Sequence, residues 1–86
     1  MNAKRRRSIM KSVKISLESI DKVKKFVNII QSYSGDFDLA SDRYVVDAKS
    51  IMGIFSLDLG QPLRLDIHDE GIADDLTAKL RDFIVG

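Results

Sequence analysis

The chain has 86 residues, enough for one domain with a modest hydrophobic core. An apolar fraction of 44% and a charged fraction of 31% are typical of a globular protein, and the absence of cysteine excludes disulfides and thiolate chemistry. No apolar run is long enough to cross a bilayer. Residues 1–14 carry six basic and no acidic side chains, whereas residues 15–86 carry eight basic and thirteen acidic ones, a formal charge of −5. This acidic body argues against a nucleic-acid-binding domain.

The basic N-terminus is interpreted as a disordered arm over residues 1–10, ahead of a single domain over residues 11–86. Its cluster from Lys4 to Arg7 has the charge to contact phosphates or an anionic membrane, but it lacks the apolar stretch of a secretory signal. A solvated tail, or an extension upstream of a start at Met10, is the simpler interpretation. We therefore expect a cytoplasmic protein with no membrane contact.

The first half of the domain alternates between strand and helix patterns. Residues 12–17 alternate polar and apolar, which predicts a half-buried strand. Apolar residues then recur at helical spacing from Ile20 to Tyr33, behind Ser19 as N-cap, and Gly35 supplies a left-handed residue to end the helix. Residues 36–40 and 43–46 follow as two strands of a hairpin.

The second half predicts a fourth strand and a final helix. Leu63, Leu65 and Ile67 alternate with polar residues, Gly71 breaks the chain, and residues 72–84 form an amphipathic helix with two aspartates in its first turn. With a short helix between the third and fourth strands, the order is β-α-β-β-α-β-α. This order predicts an α+β fold, in which helices pack on one face of a four-stranded antiparallel sheet and the other face contacts water.

The short helix that begins after Ser50 is the candidate functional element. Ser50 is a good N-cap, and its hydroxyl would lie beside free backbone N–H groups, where an added phosphate meets a partly positive site. A two-turn helix that is apolar on nearly every side cannot bury all its side chains in one small core, so some should contact water or a partner. The apolar residues concerned are Ile51, Met52, Ile54, Phe55 and Leu57.

These residues also carry a family resemblance. The string Ala48-Lys49-Ser50-Ile51-Met52-Gly53, followed by Ser56-Leu57, resembles the regulatory-serine segment of HPr, the small phosphocarrier protein of the bacterial sugar phosphotransferase system. The resemblance continues without a change of length from about Ser19 to the C-terminus. It implies an open-faced β-sandwich in which three helices cover one face of the sheet.

The resemblance also implies a function. In HPr a kinase phosphorylates the serine that corresponds to Ser50, and the modified protein binds a transcriptional repressor in carbon catabolite repression. It implies that Ile51, Met52 and Phe55 form the apolar docking patch. The expected partners are therefore HPr kinase, a transcriptional repressor or other proteins of the phosphotransferase system.

The phosphate-accepting histidine of HPr has no counterpart in this sequence. Ser19 stands at its position and Asp21 at that of the supporting arginine, while Glu18 adds a second carboxylate that would repel phosphate. A serine before a helix is usually a cap, and no base stands nearby to activate it. The sequence therefore predicts no histidine phosphotransfer, no catalytic residue and no enzymatic turnover.

His68, the single histidine, is expected to be a solvated side chain at a strand end. Neither His68 nor the acidic cluster from Asp69 to Asp75 has the spacing of a metal site, and no cofactor is predicted. Three interpretations remain open. The chain is an HPr-like regulatory and protein-binding domain controlled at Ser50, a divergent phosphocarrier that uses an unconventional residue, or a structural module that self-associates as a homodimer.

Overall fold

A computed structural model describes residues 11–85, and the predicted basic arm of residues 1–10 lies outside the described part. The elements follow the predicted order β-α-β-β-α-β-α. No helix among the described residues is both long and apolar enough to cross a membrane. The elements are β1 (Lys11–Ile15), α1 (Ile20–Gln31), β2 (Phe37–Ala40), β3 (Val45–Asp47), α2 (Ile51–Phe55), β4 (Leu63–Ile67) and α3 (Glu70–Lys79).

The four strands form one antiparallel sheet in the order β1-β4-β2-β3. Strand β4 is central, and its Leu65 lies opposite Val13 of β1 and Leu39 of β2. The C-terminal segment protects the outer edge of β1, since Ile84 bridges to Ile15 and the Val85 amide donates to the Lys14 carbonyl at 2.8 Å. The predicted α+β fold is confirmed.

The core lies between the sheet and the helices. Helix α1 buries Val23, Phe26, Val27 and Ile30, which follow the 3.6-residue period of an amphipathic helix. The rings of Phe26 and Phe83 meet edge to face with centroids 6.1 Å apart. Each fully buried side chain of this kind stabilises the fold by about 1.5–3 kcal/mol, so this layer holds α1 and the C-terminal turn against the sheet.

Helix α1 begins as predicted but ends early. The Ser19 hydroxyl accepts a hydrogen bond from the Lys22 amide at 3.1 Å, which confirms the N-cap. The helix stops at Gln31 because the amide and hydroxyl of Ser32 both donate to the Ile29 carbonyl and close the last turn. Gly35 does have a φ of +115°, but it lies in the loop before β2 and caps nothing.

Two further sequence predictions about the helices are wrong. The helical spacing that begins at Ile20 predicts this residue on the buried face of α1, yet 61% of it is exposed because it lies at the very start of the helix. Gly71 does not break the chain, since Asp69 caps α3 by accepting from the Gly71 amide at 2.9 Å and the helix begins at Glu70. Asp74 consequently lies in the second turn of α3 rather than in the first.

The face of the sheet opposite the helices carries an ion pair whose carboxylate is buried and whose arginine is exposed. Asp66 is only 3% exposed, although an outward-facing strand position predicts a solvated side chain. Its carboxylate accepts from the Ser12 hydroxyl at 2.7 Å and from Arg64 Nε and Nη2 at 2.8 and 3.1 Å. The hydrogen bond and charge of Asp66 raise the pKa of Arg64. Arg64, two residues before Asp66 in β4, therefore forms a bidentate ion pair with its carboxylate.

Candidate functional site

The start of helix α2 is fixed by Ser50. Its hydroxyl accepts from the Gly53 amide at 3.1 Å, and its carbonyl accepts from the Ile54 amide at 3.0 Å. The predicted N-cap is therefore confirmed, and the Ser50 residue is exposed. At the other end, Ser56 donates through both its amide and its hydroxyl to the Gly53 carbonyl, which closes the helix after Phe55.

Helix α2 presents an exposed apolar surface, as the sequence predicts for so short a helix. Ile54 is fully buried and anchors the helix to the core. Met52 is 78% exposed, Phe55 42% and Ile51 37%. We call Ile51, Met52 and Phe55 the α2 patch. Single exposed apolar residues are common on any protein, whereas the α2 patch brings three large apolar side chains together on one short helix.

Lys49 holds the start of α2 against the rest of the fold. Its ammonium donates to the Tyr33 carbonyl at 2.7 Å and lies 5.6 Å from the centroid of the Phe37 ring. Its carbonyl accepts from the Gln31 amide group at 3.3 Å. The charge of Lys49 is therefore engaged at the loop between α1 and β2, and not at the hydroxyl of Ser50.

Tyr33 continues this connection to helix α3. Its phenol donates to the Asp75 carboxylate at 2.5 Å, and the Lys79 ammonium lies 5.4 Å from the centroid of its ring. The hydrogen bond to Asp75 raises the pKa of Tyr33, since removing the shared proton would leave two negative charges side by side.

In the described part of the chain, no group of three histidine or carboxylate side chains is placed to hold a metal ion.

Ser19, which the sequence resemblance aligns with the histidine of HPr, is an exposed cap residue in the structure. Its hydroxyl is occupied by the Lys22 amide, and the Lys22 ammonium forms an exposed ion pair with Glu18 at 3.4 Å. Asp21 is exposed in the first turn of α1. Ser19 therefore lies between two acidic residues in the sequence, Glu18 and Asp21, and the ammonium of Lys22 is paired with Glu18.

His68 is not the solvated residue that the sequence predicts. Only 8% of its side chain is exposed, and its Nε2 atom lies 2.8 Å from the Asp38 carboxylate. The pairing follows from the register of the sheet, because Asp38 lies opposite Asp66, two residues before His68. No local sequence signal predicts it, since the partners are 30 residues apart.

One basic feature of the surface has no counterpart in the sequence analysis. Lysines of α1 and α3 line a groove between these helices, above Ile29 and Phe83. The sequence places the α1 lysines on the outer side of an amphipathic helix, which identifies an exposed surface but not a groove. The position of α3 beside α1 is a property of the tertiary fold.

Comparison with known proteins finds a solved structure with a similar fold. The structure is similar to a crystal structure of HPr-C-His from Thermoanaerobacter tengcongensis, with a TM-score of 0.67 and 29% sequence identity. The match covers 85% of this chain and 92% of that one. No family model matches the sequence, and no curated protein matches it. The chain therefore has an HPr-like fold, built from the strands and helices that its sequence predicts.

Proposed function

We propose that the chain is a phosphotransferase-system-related domain that binds other proteins through the α2 patch and is regulated by phosphorylation of Ser50. The observation that carries this proposal is that Ser50, the exposed N-cap of the five-residue helix α2, directly precedes three exposed apolar side chains of that helix. The HPr-like fold supports it, since the likeness covers 85% of this chain.

The α2 patch has the properties of a docking surface. Met52 is unbranched and polarizable, so it adapts to the shape of a partner, while Phe55 supplies a large flat contact. Neither is needed to hold α2 in place, because Ile54 and Leu57 are the buried side chains of this segment. Covering the patch would therefore remove apolar surface from water without disturbing the core.

Phosphate on Ser50 would change the charge at the edge of this surface. The group adds about −1.5 to −2 charges at neutral pH. Asp47 is the nearest acidic residue in the sequence, and its side chain already accepts from the Lys49 amide at 2.9 Å. Since the Lys49 ammonium is bound to the Tyr33 carbonyl, the new charge is available to a partner. A partner with arginines at this place would bind more tightly, and one with carboxylates would be released.

Histidine phosphotransfer is not part of the proposed function. Ser19 serves as a cap, and the carboxylates of Glu18 and Asp21 oppose an incoming phosphate. The ring of His68 is largely buried and paired with Asp38, which disfavours attack on a bulky phosphoryl donor. The chain then acts as a regulated binding protein and performs no turnover of its own.

Phosphorylation by a bacterial HPr kinase tests the proposal. After incubation with the kinase and ATP, we expect mass spectrometry to find one phosphate, located on Ser50 and absent from the Ser50→Ala variant. Ser19→Ala is the matched control, since both serines cap a helix through a hydrogen bond of 3.1 Å. It should accept phosphate like the unaltered chain. Phosphate that persists in Ser50→Ala would refute the assignment.

The alternative function, a divergent phosphocarrier, is tested with a different phosphate donor. The chain is incubated with the general phosphotransferase enzyme and phosphoenolpyruvate, and the product is tested for acid-labile phosphate. The proposed function predicts none. Acid-labile phosphate that disappears in His68→Asn would instead establish transfer through that residue.

A further inference from the structure

The groove between α1 and the C-terminal end of α3 is a second feature of the surface with ligand-binding chemistry. It encloses about 380 Å³, which lies within the range of cavities that hold small organic molecules. Lys22 and Lys25 stand three residues apart in α1 and line one side, while Lys79 lines the other. We call this feature the α1–α3 groove.

The floor of the α1–α3 groove is apolar and firmly held. Phe83 is only 6% exposed and packs edge to face on Phe26. Ile29 is half-buried and packs against the same core. A ligand with a flat apolar body would therefore contact a preformed surface made mainly by Ile29 and by the small exposed edge of Phe83, and burial of this surface is favourable by about 25 cal/mol for each Å².

The rim of the α1–α3 groove is positively charged. Three lysines and one acidic residue, Asp82, line the groove, in a domain whose body is acidic overall. Lys22 has an exposed pair with Glu18 at 3.4 Å, and Lys79 lies over the Tyr33 ring. Within the described residues, Lys25 forms no ion pair. The groove thus combines surplus positive charge with an apolar floor, and an anionic ligand with an apolar body complements both.

We propose that the α1–α3 groove binds a small amphipathic organic anion. Its negative head group, a phosphate, sulfonate or carboxylate, contacts Lys22, Lys25 and Lys79, and its apolar body covers Ile29 and Phe83. Exposed charge pairs are weak one at a time, so Lys22 and Lys79 would turn from Glu18 and Tyr33 to join Lys25 at the head group, where three cations together bind an anion. This site is independent of the proposed function, because it uses no residue of the α2 patch and does not involve Ser50.

The test uses 8-anilinonaphthalene-1-sulfonate, an anion with a flat apolar body, and its uncharged relative N-phenyl-1-naphthylamine. Binding is followed by fluorescence and mapped by amide chemical shifts on the ¹⁵N-labelled chain. We expect the sulfonate to shift amides at Lys25, Ile29 and Phe83, to bind more weakly as salt is added, and to bind more tightly than the uncharged compound. The charge reversal Lys25→Glu should weaken sulfonate binding about tenfold.

Lys24→Glu is the matched control, because Lys24 is the adjacent exposed lysine of α1 and does not line the groove. We expect it to change the affinity by less than about twofold, because consecutive side chains of a helix point about 100° apart and exposed charges are screened by salt. An equal loss in Lys24→Glu, shifts confined to the α2 patch, or equal and salt-independent binding of the uncharged compound would each overturn the proposal. Circular dichroism of both variants verifies that the fold is unchanged.

Discussion

Replacing Met52 by aspartate is expected to weaken binding of a bacterial HPr kinase by at least about 30-fold. Loss of a central interface residue costs about 2 kcal/mol or more, and each 1.4 kcal/mol is a factor of ten in affinity. The fold should be unaffected, because Met52 is 78% exposed and substitutions at such positions change stability by about 0.5 kcal/mol or less. Calorimetric titration of the kinase measures the affinity, and urea unfolding measures the stability.

Val45→Asp is the control for this prediction. Val45 is a β-branched apolar residue that is 61% exposed, but it lies in β3 and outside the α2 patch. Introducing a carboxylate there should leave the kinase affinity nearly unchanged. Equal weakening by both substitutions would show that added negative charge, and not loss of the apolar contact, explains the result for Met52.

Phe26→Ala is expected to lower the free energy of unfolding by about 3–5 kcal/mol, as truncation of a buried phenylalanine does. Phe26 is fully buried and packs on Phe83, so the substitution leaves a cavity where α1 meets the C-terminal turn. A domain of this size has about 5–15 kcal/mol of stability, so the variant should unfold at much lower urea concentration.

Ile20→Ala provides the comparison in the same helix. Ile20 is 61% exposed, so its truncation should cost about 0.5 kcal/mol or less. If both variants had similar midpoints, the core would not be organised around Phe26. A large loss for Phe26→Ala alone supports the described packing.

The order of strands and helices could be predicted from the sequence because it depends on local chemistry. Ser19 and Ser50 were predicted as N-caps, and each accepts a backbone hydrogen bond three residues later. The residues at which α1 ends and α3 begins were harder to predict from the sequence. Ser32 closes α1 before Gly35 can act, and Asp69 starts α3 ahead of Gly71, since in both cases a polar side chain satisfies the backbone earlier than the glycine.

The burial of Asp66 and His68 on the open face of the sheet could not be predicted from the sequence, because it depends on pairing between residues far apart in the chain. Alternation places Asp66 on the side away from the helices, but it does not reveal that Arg64 and Ser12 enclose it. The same holds for His68, whose partner Asp38 is brought near by the pairing of β2 with β4. Register, and not composition, decides these contacts.

The candidate site was predictable in part. The number of apolar residues after Ser50 exceeds what so short a helix can bury, so an exposed surface follows from counting. Which residues form that surface depends on how α2 rests on the core, and the structure buries Ile54 while it exposes Met52. The α1–α3 groove needs both helices in place, so sequence periodicity alone does not predict it.

The α2 patch as a protein-docking surface is the central claim, and its most direct test is a titration of the ¹⁵N-labelled chain with an unlabelled bacterial HPr kinase. The claim predicts that amide signals of Ile51, Met52 and Phe55 shift or broaden first, together with that of Ser50. Changes confined to Val45 and Asp66 on the other side of the sheet, with the signals of the α2 patch unmoved, would contradict it.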